Sequence, residues 1–330
     1  MDIMLKLKAQ AKNAIRKVVF PDGEDETIIK AAGKLSAESI ARVILIGRDR
    51  VINEKAKQVG LVIQGIDVID IANSLKMSSY MAEYSEIRKM PSVVAERQMR
   101  DPLYYGAMMV RMGDADAIVT GIANDTADVL VASEAVIGMQ NNILIPSSFF
   151  LMEIPGYKGN EGNMLVFADA AVNTNPTPGC LADIAIATAN SARELLGWEP
   201  RIAMLSFSTK GSSTHPHVDK VIEATEIIKN RAPDLAVDGE LQADTAIVPE
   251  VAYRKLGENS PVAGKANILI FPDLDAANIA YKLVQRLANA KSYGPVLQGF
   301  AKPVSDLSRG ANVDDVVGAA IMVSVMAQGK

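Results

Sequence analysis

Short apolar runs alternating with longer stretches of helical period predict an α/β protein, two parallel-sheet α/β domains with an interdomain cleft. Two further observations shape that expectation. At 330 residues the chain exceeds what one hydrophobic core usually serves. Several apolar runs also end in a small polar or acidic turn, as in VVFPDGEDE, LVFADAAVNTNPT, MLSFSTKGSST, LAVDGELQAD and LIFPDLDAAN. In open parallel sheets ligands sit beyond the carboxyl ends of the strands, so function is expected at those turns.

The N-terminus, MDIMLKLKAQAKNAIRKVVF, reads as an amphipathic helix running into a strand at Lys17–Phe20. Further strands are predicted at Arg42–Ile46, Ile66–Ile71, Ala117–Val119, Met164–Ala168, Arg201–Ser206, Ala236–Gly239 and Asn267–Phe271. Helical period predicts Glu26–Ala37, Met81–Lys89, Pro178–Leu196, His217–Arg231, Ala276–Ala290 and a last apolar helix, Val313–Gln328. The turn-rich stretch near Ile145–Gly162 interrupts the pattern and is expected to be a domain crossing. Lys291–Asn312 carries too many Gly and Pro for regular structure on this reading, and the last helix is expected to return to the first domain. The expected organisation is therefore residues 1–145 plus 297–330 as a discontinuous domain, with 146–296 inserted.

Composition excludes several classes. With 34 basic against 39 acidic residues and a net charge of -5, nothing favours nucleic acid. No apolar block has the length of a membrane span or the flanks of a signal peptide, and the basic stretch Lys6–Lys17 is expected to be a solvated helix face rather than a membrane anchor. The single cysteine, Cys180, excludes an internal disulfide and cannot alone make a metal centre, which points to a cytoplasmic, reducing setting. In the turn PTPGC it is read as structural, since no base lies nearby in sequence. His215 and His217, flanking Pro216, offer little material for a Ser-His-Asp triad. No G-x-G-x-x-G follows a strand, and Ala263–Ala266 (AGKA) lacks the upstream Gly and the Ser/Thr of a P-loop.

Three loops remain. Ser308–Asp315, SRGANVDD, puts a hydroxyl, a guanidinium and a flexible glycine just before a helix start, where unpaired N–H groups favour an anion. The same residues also read as an Asn312 N-cap, with Asp314 and Asp315 as dipole partners. Ser208–Thr214, STKGSST, follows a strand and has the composition of a phosphate-cradling loop or of a plain turn. Gly121–Asp128, GIANDTAD, offers Thr126 as a phosphate donor or as a helix cap.

These stretches, together with MVRMGDADAIVTGIANDTADVL (Met109–Leu130), FADAAVNTNPT (Phe167–Thr177), DGELQADTAIVPEVA (Asp238–Ala252), SPVAGKANILIFPDLDAANIAYKLVQR (Ser260–Arg286) and GPVLQGFAKPVSDLSRG (Gly294–Gly310), resemble the phosphate acetyltransferase family within the phosphate acetyl/butyryltransferase group over essentially the whole chain. The resemblance implies an isocitrate/isopropylmalate dehydrogenase-like fold, a homodimer, and acyl transfer between acetyl-CoA and phosphate giving acetyl phosphate and CoA, with no tightly bound cofactor and no metal. Matching SRG-x4-D, it implies that Asp315 takes the coenzyme A thiol proton, Arg309 holds phosphate and the developing oxyanion, and Ser308 positions the reacting groups. A thiol titrates near 8.5, so a carboxylate base is a weak match, and positioning and electrostatics are left to supply much of the rate. For substrate binding the resemblance adds Arg88, Thr126, Ser208, Lys282 and Tyr293. Two departures stand out: Val131 where relatives commonly carry Arg, and Ala170 where many carry Cys. Propionyl or butyryl transfer, and a non-catalytic acyl-CoA-sensing module, are the alternatives.

Overall fold

The computed structural model describes residues 3–329, which fold as two compact units. One runs up to Asn141 and resumes at Phe300; the other is Asn142–Gly299.

The first unit begins with α1 (Ile3–Asn13), β1 (Lys17–Phe20), α2 (Glu26–Ala37), β2 (Arg42–Ile46), α3 (Asp49–Gln58), β3 (Asp67–Ile69), α4 (Met77–Arg88), α5 (Ser92–Met99), α6 (Pro102–Arg111), β4 (Ala117–Thr120) and α7 (Thr126–Val136). The second contains β5 (Ser147–Glu153), β6 (Met164–Ala168), α8 (Pro178–Leu196), β7 (Arg201–Leu205), α9 (Pro216–Arg231), β8 (Ala236–Leu241), α10 (Ala243–Ile247), α11 (Pro249–Leu256), β9 (Ile268–Ile270), α12 (Leu274–Leu287) and β10 (Lys291–Gln298). The chain then returns to the first unit with β11 (Val304–Asp306) and α13 (Val313–Met326).

Local chemistry accounts for most of these boundaries. Asp25 caps α2 by accepting from the N–H groups of Thr27 at 2.7 Å and Ile28 at 3.2 Å, and the helix buries Ile28, Ile29, Ala31, Ala32 and Leu35. Proline at the first position of α8 and Gly197 in the left-handed region just beyond it bound that helix as each residue's geometry favours. At α13 the Asn312 carboxamide accepts from Asp314 and Asp315 while the Asp315 carboxylate accepts from the Asn312 N–H, a capping box.

In the first unit the strands lie β3-β2-β1-β4-β11, all parallel. Val18, Val19 and Phe20 are fully buried, as a strand covered on both faces requires. Chain order reverses direction at β1, with β2 on one side and β4 on the other, so the loops after β1 and β4 diverge at a switch point of the kind that binds ligands. In the second unit the order is β10-β5-β6-β9-β7-β8, with β6, β9, β7 and β8 parallel. Its core gathers Phe150, Met152, Leu165, Phe167, Leu205 and Phe271.

Two expectations need correction. The turn-rich stretch near Ile145–Gly162 contains β5, and the Gly/Pro-rich stretch after Lys291 contains β10; these two strands pair antiparallel, and β5 also pairs antiparallel with β6. Antiparallel neighbours need no helical crossover, so these strands lack the βα period that revealed the others. Gly294 and Pro295 are accommodated at a register shift between Tyr293 and Val296, where ladder bonds are already interrupted. The Gly294 α-carbon leaves no room for a side chain, since a β-carbon there would lie 2.8 Å from the Phe149 carbonyl oxygen.

Candidate active site

The strand-end acids predicted from sequence are loop organisers. Asp22, just after β1, is buried and accepts from the Thr120 hydroxyl at 3.1 Å, the N–H groups of Gly121 at 3.1 Å and Ile122 at 3.3 Å, and the Asn124 amide at 3.1 Å. It thereby ties the loop after β1 to the loop after β4. Burial raises its carboxyl pKa against the lowering effect of these donors. In the second unit Asp169 does the same for its own loop, accepting from Ser148, Ala171, Val172 and Asn173.

Thr126 and Arg309 each make a bond between the start of α7 and the segment at the end of β11, and Ser308 and Asp315 lie on that same segment and the helix after it. Leu307 continues the ladder by donating to the Thr120 carbonyl at 2.7 Å, after which Ser308 and Arg309 stand exposed. The Arg309 guanidinium pairs with the carboxylate of Asp125. Asp125 is the N-cap residue of α7 but makes no side-chain cap, because its carboxylate is turned to Arg309. The first N–H groups of α7 are thus left without a side-chain partner beside a guanidinium. Thr126, the first residue of α7, donates its hydroxyl to Asp306 at 2.6 Å. Asp315 accepts the Asn312 N–H on Oδ2 at 2.9 Å and is itself exposed. The Asn312 cap expected from SRGANVDD is formed, and of the Asp315 carboxylate one oxygen serves that capping box while the other makes no hydrogen bond among the described residues.

Close packing makes this corner specific. Gly121 adopts φ +107, and a β-carbon on it would sit 2.2 Å from Asp306 Oδ1 and 2.4 Å from the Leu307 carbonyl oxygen. The loop after β4 therefore lies directly against the segment that carries Ser308 and Arg309.

The remaining predicted residues lie elsewhere. Arg88 is exposed at the last turn of α4. In the second unit Ser208 is fully buried; its hydroxyl donates to Glu240 at 3.0 Å and accepts the Ser213 N–H at 3.1 Å. Gly211 N–H also reaches Glu240, at 2.7 Å, so a carboxylate of the chain itself occupies the concavity of the STKGSST loop. Lys282 is exposed on α12, its ammonium 5.8 Å from the Tyr281 ring centre. The Tyr293 hydroxyl donates to Glu153 at 2.8 Å. Cys180 donates its backbone N–H to the Thr177 cap in the first turn of α8.

Sequence reading passed over Asp125 and Asp306. Asp306 closes a strand of only three residues, VSD, inside the Gly/Pro-rich stretch Lys291–Asn312, so periodicity carries no signal for it. Among the described residues there is no cluster of three or more His, Cys, Asp or Glu suited to a metal ion, and no helix long and apolar enough to cross a membrane.

Comparison with known proteins gives the family. Residues 2–324 match the family model described as phosphate acetyl/butaryl transferase. A phosphate acetyltransferase of Thermoanaerobacterium thermosaccharolyticum is 46% identical, the alignment covering 99% of this chain and all of that one. The crystal structure of a phosphotransacetylase from Streptococcus pyogenes superposes with a TM-score of 0.93 at 39% identity, over 99% of this chain and 98% of the other. A 4-hydroxythreonine-4-phosphate dehydrogenase from Burkholderia phymatum, 16% identical with a TM-score of 0.52 over 96% of this chain and 98% of its own, shares the fold alone. With a family match spanning nearly the whole chain and relatives this similar at full length, the protein belongs to the phosphate acetyl/butaryl transferase family.

Proposed function

We propose that this chain transfers an acetyl group reversibly between coenzyme A and inorganic phosphate, by direct attack of the coenzyme A thiolate on acetyl phosphate. The observation that carries the reading is Arg309 paired with the N-cap residue of the side-chain-uncapped α7, which puts a planar cation next to a set of N–H donors. Asp125 stands there as the anion now paired with the guanidinium. A phosphoryl group arriving at Arg309 would take the place of the Asp125 carboxylate on the guanidinium, beside the free N–H groups of α7.

In the reaction a carbon–sulfur bond forms as the acyl carbon–oxygen bond to phosphate breaks, and phosphate leaves with the bonding electrons. Arg309 holds those phosphoryl oxygens and the charge on the carbonyl, Ser308 orients the donor, and Asp315, through the oxygen its capping bond leaves unused, takes the thiol proton. Arg88, Thr126, Ser208, Lys282 and Tyr293 are proposed as substrate-side residues. For Thr126 and Ser208 the proposed contribution is to hold their loops, since their hydroxyls are committed to Asp306 and Glu240. Coenzyme A acts as substrate, and no tightly held cofactor is invoked. We place the protein in the cytoplasm, in acetate metabolism, as a homodimer. Ile279, Leu283 and Leu287 support the last point: they recur every four residues on α12 and are 58%, 52% and 81% exposed, an apolar stripe suited to burial against a second copy.

The test is release of phosphate from acetyl, propionyl and butyryl phosphate, with and without coenzyme A. Coenzyme A-dependent release fastest with acetyl supports the reading. Faster release with butyryl would transfer the chain to the longer-acyl branch of its family. Binding of acetyl-CoA with no turnover would leave only a sensing role.

A further inference from the structure

The buried acids at the strand ends differ in how far their oxygens are satisfied. Asp22 takes four donors across both oxygens. Asp306, 3% exposed at the end of β11, takes one, the Thr126 hydroxyl on Oδ2, while Oδ1 is buried with no partner. An ionised carboxylate left with a bare, desolvated oxygen is costly, and a nearby anion makes it costlier. The charged group acting on Asp306 is Asp22, on the loop after β1. From α7, packed on β11, come Thr126 with the exposed Asp125 and Asp128; from α13 come the exposed Asp314 and Asp315; the following loop carries Arg309. Burial accordingly holds the Asp306 carboxyl up at about 6, with Asp22 adding to the rise and Thr126 opposing it.

The place of this acid gives it consequence. Thr126 meets Asp306, and one residue earlier Asp125 meets Arg309, so two contacts join the start of α7 to the segment after β11. The Asp306 contact is inside; the Asp125 contact is at the surface and is the one a phosphoryl group must open. We infer that Asp306 is a positioning residue for the proposed acyl transfer: through its contact with Thr126 it holds the first turn of α7 against β11, so that Arg309 and the helix N–H groups stay convergent when Asp125 lets go. Ionisation of this buried carboxyl, with one oxygen unsatisfied, weakens that hold. This rests on the functional reading above. In acting through Thr126 and Arg309, Asp306 touches no substrate.

The experiment compares the full-length parent with Asp306→Asn, Asp306→Ala and Thr126→Val. Steady-state kinetics with acetyl phosphate and coenzyme A are measured between pH 5.5 and 8.5, alongside thermal unfolding. Asp306→Asn, a neutral isostere, should keep parental constants near pH 6 to within about threefold while losing the parent's rise in KM for acetyl phosphate toward alkaline pH. Asp306→Ala and Thr126→Val should each raise that KM by about tenfold at all pH values and leave the KM for coenzyme A unchanged. Parental kinetics and pH profile in the folded Ala and Val variants would overturn the inference, as would an Asn variant as impaired as the Ala variant. An inactive parent would refute the functional reading instead. Calorimetry with inorganic phosphate then decides the present point, with about tenfold weaker binding in Asp306→Ala expected and equal binding overturning it.

Discussion

Replacing Gly121 by alanine puts one methyl group where the loop after β4 meets the end of β11. Its ideal position is 2.2 Å from Asp306 Oδ1, 2.4 Å from the Leu307 carbonyl oxygen and 2.6 Å from the Leu307 nitrogen, at a backbone φ of +107. Two costs combine. A non-glycine residue held at this φ is strained by about 1–3 kcal/mol. Forcing an atom into a closed site adds about 1–3 kcal/mol, and here two of the three obstructing atoms are backbone and cannot rotate away. A total of about 2–6 kcal/mol is a large share of the roughly 5–15 kcal/mol that holds a domain folded. Gly60→Ala is the control, because φ there is +72 with nothing within 4 Å, so only the smaller conformational cost of about 1 kcal/mol applies. Urea unfolding followed by far-ultraviolet circular dichroism reads both variants. Since relief of the clash must move Leu307, the Gly121 variant should also lose turnover while the Gly60 variant keeps it. A Gly121 variant no less stable than the Gly60 variant, with parental turnover, would refute the close-packed reading of this corner.

Other expectations follow from the same geometry. Arg309→Gln should lower kcat/KM by about two to three orders of magnitude with little change in melting temperature, because the guanidinium is exposed and only its pairing with Asp125 is lost. Asp315→Ala should lower turnover and also cost about 1 kcal/mol of stability, since its carboxylate completes the α13 capping box; a stable variant with full turnover removes it from the mechanism. Val131→Arg adds a guanidinium at an exposed position, where the sequence resemblance implies an arginine, and should lower the KM for coenzyme A without changing that for acetyl phosphate. Asp306 gives a stability signature as well. Its carboxyl rises from 3.8 to about 6 on folding, so the folded state holds the proton more tightly; the stabilisation is full below pH 3.8 and is lost as pH rises through 6. Across that window the parent should lose about 2–3 kcal/mol relative to Asp306→Asn, read as denaturation midpoints at pH 4 and pH 7.

Much of the candidate site could be read before folding because its parts are contiguous. Ser308, Arg309 and Asp315 lie within eight residues, and both roles proposed for that stretch, helix cap and anion loop, depend only on chain-neighbour geometry. Ser208 shows the opposite limit: its loop has the composition of a phosphate cradle, yet Glu240, 32 residues on, supplies the anion. Composition cannot tell an occupied concavity from an open one.

What the sequence by itself determined was the βα alternation, the cap at Asn312, and the acidic turns closing the strands. These depend on interactions spanning a few residues, which periodicity and capping chemistry encode directly. Tertiary structure decided that the stretches containing β5 and β10 are strands, because their antiparallel partners, rather than any helical crossover, satisfy their backbones. It also decided that Thr126 meets Asp306 across 180 positions and Arg309 meets Asp125 across 184, since only the strand order β1-β4-β11 brings those loops to one corner.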